Sequence, residues 1–341
     1  MSRRAIAYAL LSAALFGAST PLAKLLVGET APLILSGLLY LGSGLGLAAW
    51  LAMRGERPAL PRKDWPWLAA AIGAGGVVGP ALLMYGLVRT DGATASLLLN
   101  LEAVFTAVIA WVVFRENVDR RVFAGMVAIV AGGAVLSFQG KPNVDAGIVL
   151  IAGACLAWAI DNNLTRRVSG ADAVAIACLK GLVAGIVSLA IGLAAGATLP
   201  AAPTIAAAGA VGFVGYGVSL VLFVIALRHL GTARTGAYFS VAPFFGAAIA
   251  LVFLGEQANW AFWVAAALMA AGVWLHLTEQ HEHVHTHPEM DHEHPHSHDE
   301  HHRHQHDFAW DGKEPHSHTH RHGPLRHRHP HYPDLHHRHS H

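Results

Sequence analysis

The sequence predicts an all-α membrane protein of ten transmembrane helices, arranged as two inverted five-helix repeats and followed by a disordered, histidine-rich tail. Three observations predict it. Only 13% of the 341 residues are charged and 54% are hydrophobic, against about 25% charged in soluble domains. Ten apolar runs each approach the ~20 residues that cross a bilayer. The two halves of the chain also resemble each other at an offset of 140 residues.

The first run, Ala5–Leu26, follows Arg3 and Arg4 in the manner of a signal peptide. Because many further runs follow, it reads as an uncleaved first span. Next come Ala31–Met53, Trp65–Val88, Gly92–Phe114 and Arg121–Phe138, which complete a first repeat over residues 1–140. Ala146–Thr165, Ala173–Ala195, Ile205–Leu227, Thr232–Leu254 and Trp260–Leu277 form the second, over residues 141–278. The small-residue stretches Gly42–Gly46 and Gly181–Gly185 would let helix backbones approach closely. Cys155 and Cys178 lie inside apolar runs and imply no disulfide framework. Trp65, Trp67 and Trp260 sit at run ends, where interfacial anchors are common.

Loop charge sets orientation. With the N-terminus inside, thirteen Lys/Arg lie at cytoplasmic ends, among them Arg54, Arg62, Lys63, Arg120, Arg166 and Arg228. Only Lys24, Arg89 and Lys141 lie opposite. This positive-inside bias places both termini in the cytoplasm of a bacterial-type inner membrane. The core, net +6, and the residues after Leu277, net −5 with neutral histidines, cancel to an overall +1 that says nothing about partners. No basic patch with interleaved aromatics suggests nucleic acid. No nucleophile motif, phosphate loop or dinucleotide motif points to an enzyme.

Shifting the chain by 140 lays Leu87, Ala93, Phe105, Ala107, Ile109, Ala110, Val112 and Glu116 over identical residues from Leu227 to Glu256. Five spans per repeat is an odd number, so the halves must be upside down relative to each other, a transporter architecture with a site between them. On these residues the chain resembles the EamA-type drug/metabolite transporters. The fourth helix of each repeat closes on Glu, in "FRE" and "LGE", and "FGASTPLAK" in the first helix and Pro243 in the ninth fit as well. The resemblance implies an inner-membrane carrier that exports or exchanges small metabolites by alternating access. Its helices five and ten would be peripheral. One departure stands out: Ala103, preceded by Glu102, occupies the place of Pro243, preceded by Ala242.

Candidate site residues are the polar groups within spans. Glu102 lies about ten residues into its run, roughly 15 Å deep, and Lys180 lies roughly 12 Å in. An unpaired charge there costs about 2.5–3.5 kcal/mol, so the two are expected to pair or to share a polar cavity. In the functional reading Glu102 binds a cationic group of the substrate or a coupling proton, with Lys180 tuning it; in the bland reading they lock two helices. Asp161 shares a helix face with Thr165, and Asn162 with Arg166, which could solvate Asp161. Asp161, Asn162 and Asn163 are pathway residues or a helix-end anchor. Asn100, Ser96, Tyr238 and Ser240 are cavity lining or interhelical glue, and Glu116 and Glu256 are structural helix-end residues.

The tail holds 23 of the 25 histidines. It cannot bury a core and is expected to be disordered. His-X-His spacing at His281, His283, His285, His287, His292, His294, His296, His298, His316, His318 and His320 suits Ni²⁺, Zn²⁺, Co²⁺ or Cu²⁺. The leading expectation is a carrier of a small polar metabolite, amino-acid- or amine-like, in a lipid bilayer. The alternatives are a transition-metal exporter fed or sensed by the tail, and a metal or pH sensor with a membrane anchor.

Overall fold

The computed structural model describes residues 3–28, 30–55, 62–114, 120–137, 145–168, 172–230 and 238–278, and four tail segments, 281–287, 290–296, 316–322 and 325–331. The chain divides into two units, Met1–Glu279 and Gln280–His341.

Among its described residues the first unit consists of helices joined by turns and short loops, with no strand. Its helices are α1 (Arg3–Val27), α2 (Pro32–Arg54), α3 (Trp65–Leu87), α4 (Gly92–Val113), α5 (Arg120–Ser137), α6 (Ala146–Val168), α7 (Ala173–Ala194), α8 (Ala202–Ala226), α9 (Ala242–Phe253) and α10 (Trp260–Leu277). α1 to α8 are long and apolar enough to cross a membrane, and α9 and α10 are shorter apolar helices. The ninth apolar run begins outside the described residues.

Local chemistry sets the ends. Pro32 opens α2, where a missing N–H costs nothing. Asp91, Asp172 and Asn259 each accept a bond from a first-turn N–H of α4, α7 and α10. Glu256 does the same from far along the chain: its carboxylate accepts from Gly92 N at 2.9 Å and Ala93 N at 2.7 Å, at the start of α4. The structural role expected of Glu256 takes this form; Glu116 lies outside the described residues.

Four helical regions are irregular inside the bundle. Glycine-rich Ile72–Val78 in α3 and Phe213–Val218 in α8 widen into π-helix, a form that frees carbonyls for other partners. α4 is interrupted at Leu99–Asn100, where Leu99, Asn100 and Glu102 donate three residues back instead of four. The segment before α9 is interrupted in the same manner, with Tyr238–Phe239 helical and a turn at Ser240–Val241.

Small residues bring helices together. The stretches Gly42–Gly46 and Gly181–Gly185 do meet: a Cβ on Gly181 would stand 2.7 Å from Gly44 N, so α2 and α7 touch backbone to backbone. α5 packs chiefly on α10 through Gly125 and Gly272. Ser12 and Ser219 tie α1 to α8 reciprocally, each hydroxyl donating to the other's carbonyl at 2.7 and 2.9 Å. Lys24 at the end of α1 donates to Leu87 O at the end of α3. The outer surface carries many large apolar side chains. Phe253 is 78% exposed and Trp260 75%, with Val112, Val113 and Trp274 alongside. Such a surface suits lipid, which wets it without cost, far better than water.

The tail unit contains β1 (His281–His287), β2 (Met290–His296), β3 (His316–His322) and β4 (Leu325–His331). β1 pairs antiparallel with β4, and β2 with β3. In these segments the backbone groups pair in ladders. Two-stranded ladders enclose no core, in keeping with a composition that has little to bury.

Candidate functional site

Four helices bring the intramembrane polar residues together: α3, α4, α6 and α7. The starting point is a glycine. In the π segment of α3, a Cβ on Gly75 would overlap the Asp161 carboxylate, and a Cβ on neighbouring Gly76 would stand 2.7 Å from Ala184 of α7. The glycine pair therefore opens a passage over α3, through which Asp161 of α6 reaches Lys180 of α7. Both Asp161 oxygens accept from Lys180 Nζ at 2.6 Å. Thr165, one turn after Asp161, donates to Oδ1 at 2.8 Å, as their shared face predicts, and accepts from Lys180 at 3.4 Å. The pair is largely buried, with Lys180 18% and Asp161 8% exposed.

This corrects the expected pairing. Lys180 neutralises Asp161, not Glu102. Depth placed Lys180 and Glu102 at one level, but the partner was decided by direction around the helix. Successive residues on an α-helix point about 100° apart. Asp161 turns toward α3 and α7, and Asn162 turns toward α4. There Asn162 Nδ2 donates to Glu102 Oε1 at 2.8 Å and lies 3.5 Å from Thr106 Oγ1. Glu102 is half-buried and Asn162 is exposed. Among the described residues Glu102 has no basic partner. The carboxylate follows directly on the interruption of α4, in the first turn of its second part.

The π segment also gathers neutral donors. Its Gly75 carbonyl accepts from Tyr40 OH at 3.0 Å and from Trp158 Nε1 at 2.9 Å. Tyr40 stands within electrostatic reach of both Asp161 and Glu102. From Tyr40 a run of rings extends through Tyr216, Phe16, Phe239 and Phe223, with centroid separations of 5.0–5.9 Å. Here the second π segment repeats the geometry in neutral form: a Cβ on Gly215 would stand 2.7 Å from Ser19 Cβ.

The other expected residues divide. Asn163 is buried and donates to Ala159 O at 2.8 Å and Thr106 O at 3.4 Å, so it joins α6 to α4. Asn100 is buried in the α4 interruption, donates to Leu97 O at 2.9 Å and touches the Met269 sulfur of α10. Neither joins the charged cluster. Tyr238 is half-buried at the start of the described part before α9. The Arg166 side chain and His298 fall outside what is described. Tyr40, Trp158, Thr106 and Gly75 join this candidate cluster and were missed by sequence reading. Thr106, one turn beyond Glu102, was detectable by spacing, and the glycine run "IGAGGVVG" marked the place where a helix could widen.

Comparison with known proteins bears on this arrangement. A sequence model of the EamA-like transporter family matches residues 3–138 and again residues 145–278. An "Uncharacterized transporter" of Methanothermobacter thermautotrophicus is 29% identical over 282 residues, 76% of this chain and 82% of its own. A probable terminal-alkyne amino-acid exporter of Streptantibioticus cattleyicolor is 28% identical over 62% of this chain and 73% of its own. The probable 4-amino-4-deoxy-L-arabinose-phosphoundecaprenol flippase subunit ArnE of Pseudomonas paraeruginosa is 36% identical over 111 residues, which are 32% of this chain and 93% of its own. One crystal structure shares the fold, with a TM-score of 0.63 and 20% identity over 81% of this chain and 99% of its own.

Proposed function

From the premise that the chain belongs to the EamA-like transporter family, we propose that it is a secondary carrier for a small polar metabolite bearing a cationic amino group, working by alternating access. The observation that carries this reading is the unequal treatment of two acids. Asp161 is paired directly with Lys180, whereas among the described residues Glu102 takes its hydrogen bond from the neutral, exposed Asn162 and forms no ion pair. A carboxylate inside a membrane span without a basic group in direct contact is suited to take its countercharge from cargo or from a proton. Two relatives carry an amino group in the names of what they handle, an amino acid and an aminoarabinose lipid, which supports the same preference.

The architecture we propose is ten spans in two inverted halves. Support comes from features that recur near the 140-residue offset. The π segments Ile72–Val78 and Phe213–Val218 recur, and so do the interruptions at Leu99–Asn100 and Ser240–Val241. The family match is likewise in two parts, and the ArnE relative is about as long as one of them. Interrupted helices at corresponding places in two halves are the usual pointer to a transport site. Both termini then face the cytoplasm of the inner membrane, as loop charge indicates. The metal-export alternative gains nothing from the membrane unit, where no group of three His, Cys, Asp or Glu comes together among the described residues.

Efflux of labelled amino acids and amines from proteoliposomes tests the reading. Glu102→Gln keeps the Asn162 contact available and removes the charge, so it is expected to abolish coupled transport while the protein remains folded and monodisperse. Normal transport by that variant overturns the assignment.

A further inference from the structure

A run of aromatic rings crosses the membrane unit beside the acids. Tyr40 of α2 meets Tyr216 of α8 at 5.5 Å between centroids, Tyr216 meets Phe16 of α1 at 5.9 Å, and Phe16 meets Phe239, before α9, at 5.3 Å. Phe16 and Tyr40 come from the first half of the unit, Tyr216 and Phe239 from the second. These rings point inward. Ser12, Phe16 and Ser19 share one face of α1, and both serines pack on α8, at Ser219 and Gly215. Tyr40 is held between α3, where its hydroxyl donates to Gly75 O, and α8. Ser12 and Ser19 are buried, yet Phe16, Tyr40 and Tyr216 are each only half-buried. A side chain that faces inward between buried neighbours and keeps free surface opens on an internal hollow. Nor are these rings core filling: among the described residues, Phe262 is the one aromatic in the fully buried core.

We propose that Tyr40, Tyr216 and Phe16 form a second compartment of the cargo site, one that seats an aromatic group, resting on the assignment of Glu102 as the seat of a cationic amino group. Tyr40 joins the two compartments. It stands within electrostatic reach of Glu102 and touches Tyr216. Charge decides which end of the cargo goes where. Ring faces attract an ammonium weakly, and a carboxylate in the same low-dielectric space attracts it far more strongly. The ammonium therefore goes to Glu102. The rings are left for the uncharged part, which stacks on them offset or edge-on. The cargo is thus an amine or amino acid with an aromatic side chain, not a short hydrophilic amine. A compartment lined from both halves is also where alternating access needs its cargo.

The test is calorimetric binding of phenethylamine and ethylamine to the full-length protein in detergent; the two share an ammonium and differ by the ring. The unaltered protein should bind phenethylamine at least about tenfold more tightly, the worth of burying one phenyl ring. Phe16→Leu and Tyr216→Leu keep apolar bulk and remove a ring, so each should narrow that ratio. Glu102→Gln should weaken both amines and preserve the ratio. Equal affinities in the unaltered protein, no binding of either amine, or a ratio that both leucine variants leave unchanged overturns the ring compartment. Failure of the Glu102 assignment looks different: Glu102→Gln then leaves both affinities as they were, while the ratio and its dependence on Phe16 persist. Thermal unfolding of each variant separates loss of binding from loss of fold.

Discussion

The two widened helices, α3 and α8, place glycines against neighbouring helices in the same way but to opposite chemical ends. Gly75 makes room for Asp161 and so for an ion pair with Lys180, whereas Gly215 makes room for Ser19 and no charge. A similar contrast separates α4 and α9: after matching interruptions, one continues with Glu102–Ala103 and the other with Ala242–Pro243. One backbone plan is thus used twice, with all the charge on one side. The lesson is that the widened backbone does not need the charge.

The largest effect should come from breaking the charged side. Asp161→Ala strands Lys180 in a largely buried position, with an expected loss of about 3–5 kcal/mol, read as thermal unfolding in detergent. Adding Lys180→Met should recover much of that loss, because an apolar pair often replaces a buried ion pair at little cost. If the double variant is as unstable as the single, Lys180 has another partner and the contrast between the two widened helices fails.

A smaller pair of changes compares the two glycines directly. Gly75→Ala drives a methyl group into the Asp161 carboxylate, which is itself fixed by Lys180 and Thr165. Gly215→Ala meets a single Ser19 carbon at 2.7 Å. Overpacking typically costs about 1–3 kcal/mol, so Gly215→Ala should fall in that range and Gly75→Ala above it. Equal losses would mean that the ion pair yields as easily as a serine.

The smallest effect concerns the shared carbonyl of Gly75. Tyr40→Phe removes one of its two donors and leaves Trp158 in place, so the expected cost is about 0.5–1.5 kcal/mol. The same measurement checks it, and a larger loss would give Tyr40 a role beyond holding the π segment.

Much of the membrane unit was legible in the chain. Apolar runs gave the helices, and the small-residue stretches Gly42–Gly46 and Gly181–Gly185 marked places of close packing, though not that they meet each other. Glu102, Asp161, Asn162 and Lys180 were all singled out, because a polar group in an apolar run is conspicuous whatever surrounds it. What was illegible was who faces whom. Equal depth led to the expectation that Lys180 pairs with Glu102 or shares a cavity with it, and the structure gives its direct ion pair to Asp161. Tyr40 and Trp158 look like ordinary membrane aromatics until a widened turn offers them a carbonyl. Glu256 reaches the start of α4 across 164 positions of sequence, a distance no local pattern reports.

The sequence by itself determined which segments are apolar enough to cross a membrane and which polar groups fall inside them. These follow from a fixed rise per residue and from the cost of placing charge or bare backbone in lipid. Only the tertiary structure decided the pairing of acids and base. Depth is a coordinate along one helix, but partnership depends on the rotation of each helix about its axis. That rotation is set by packing, here by two glycines of a third helix that leave room for one carboxylate to pass.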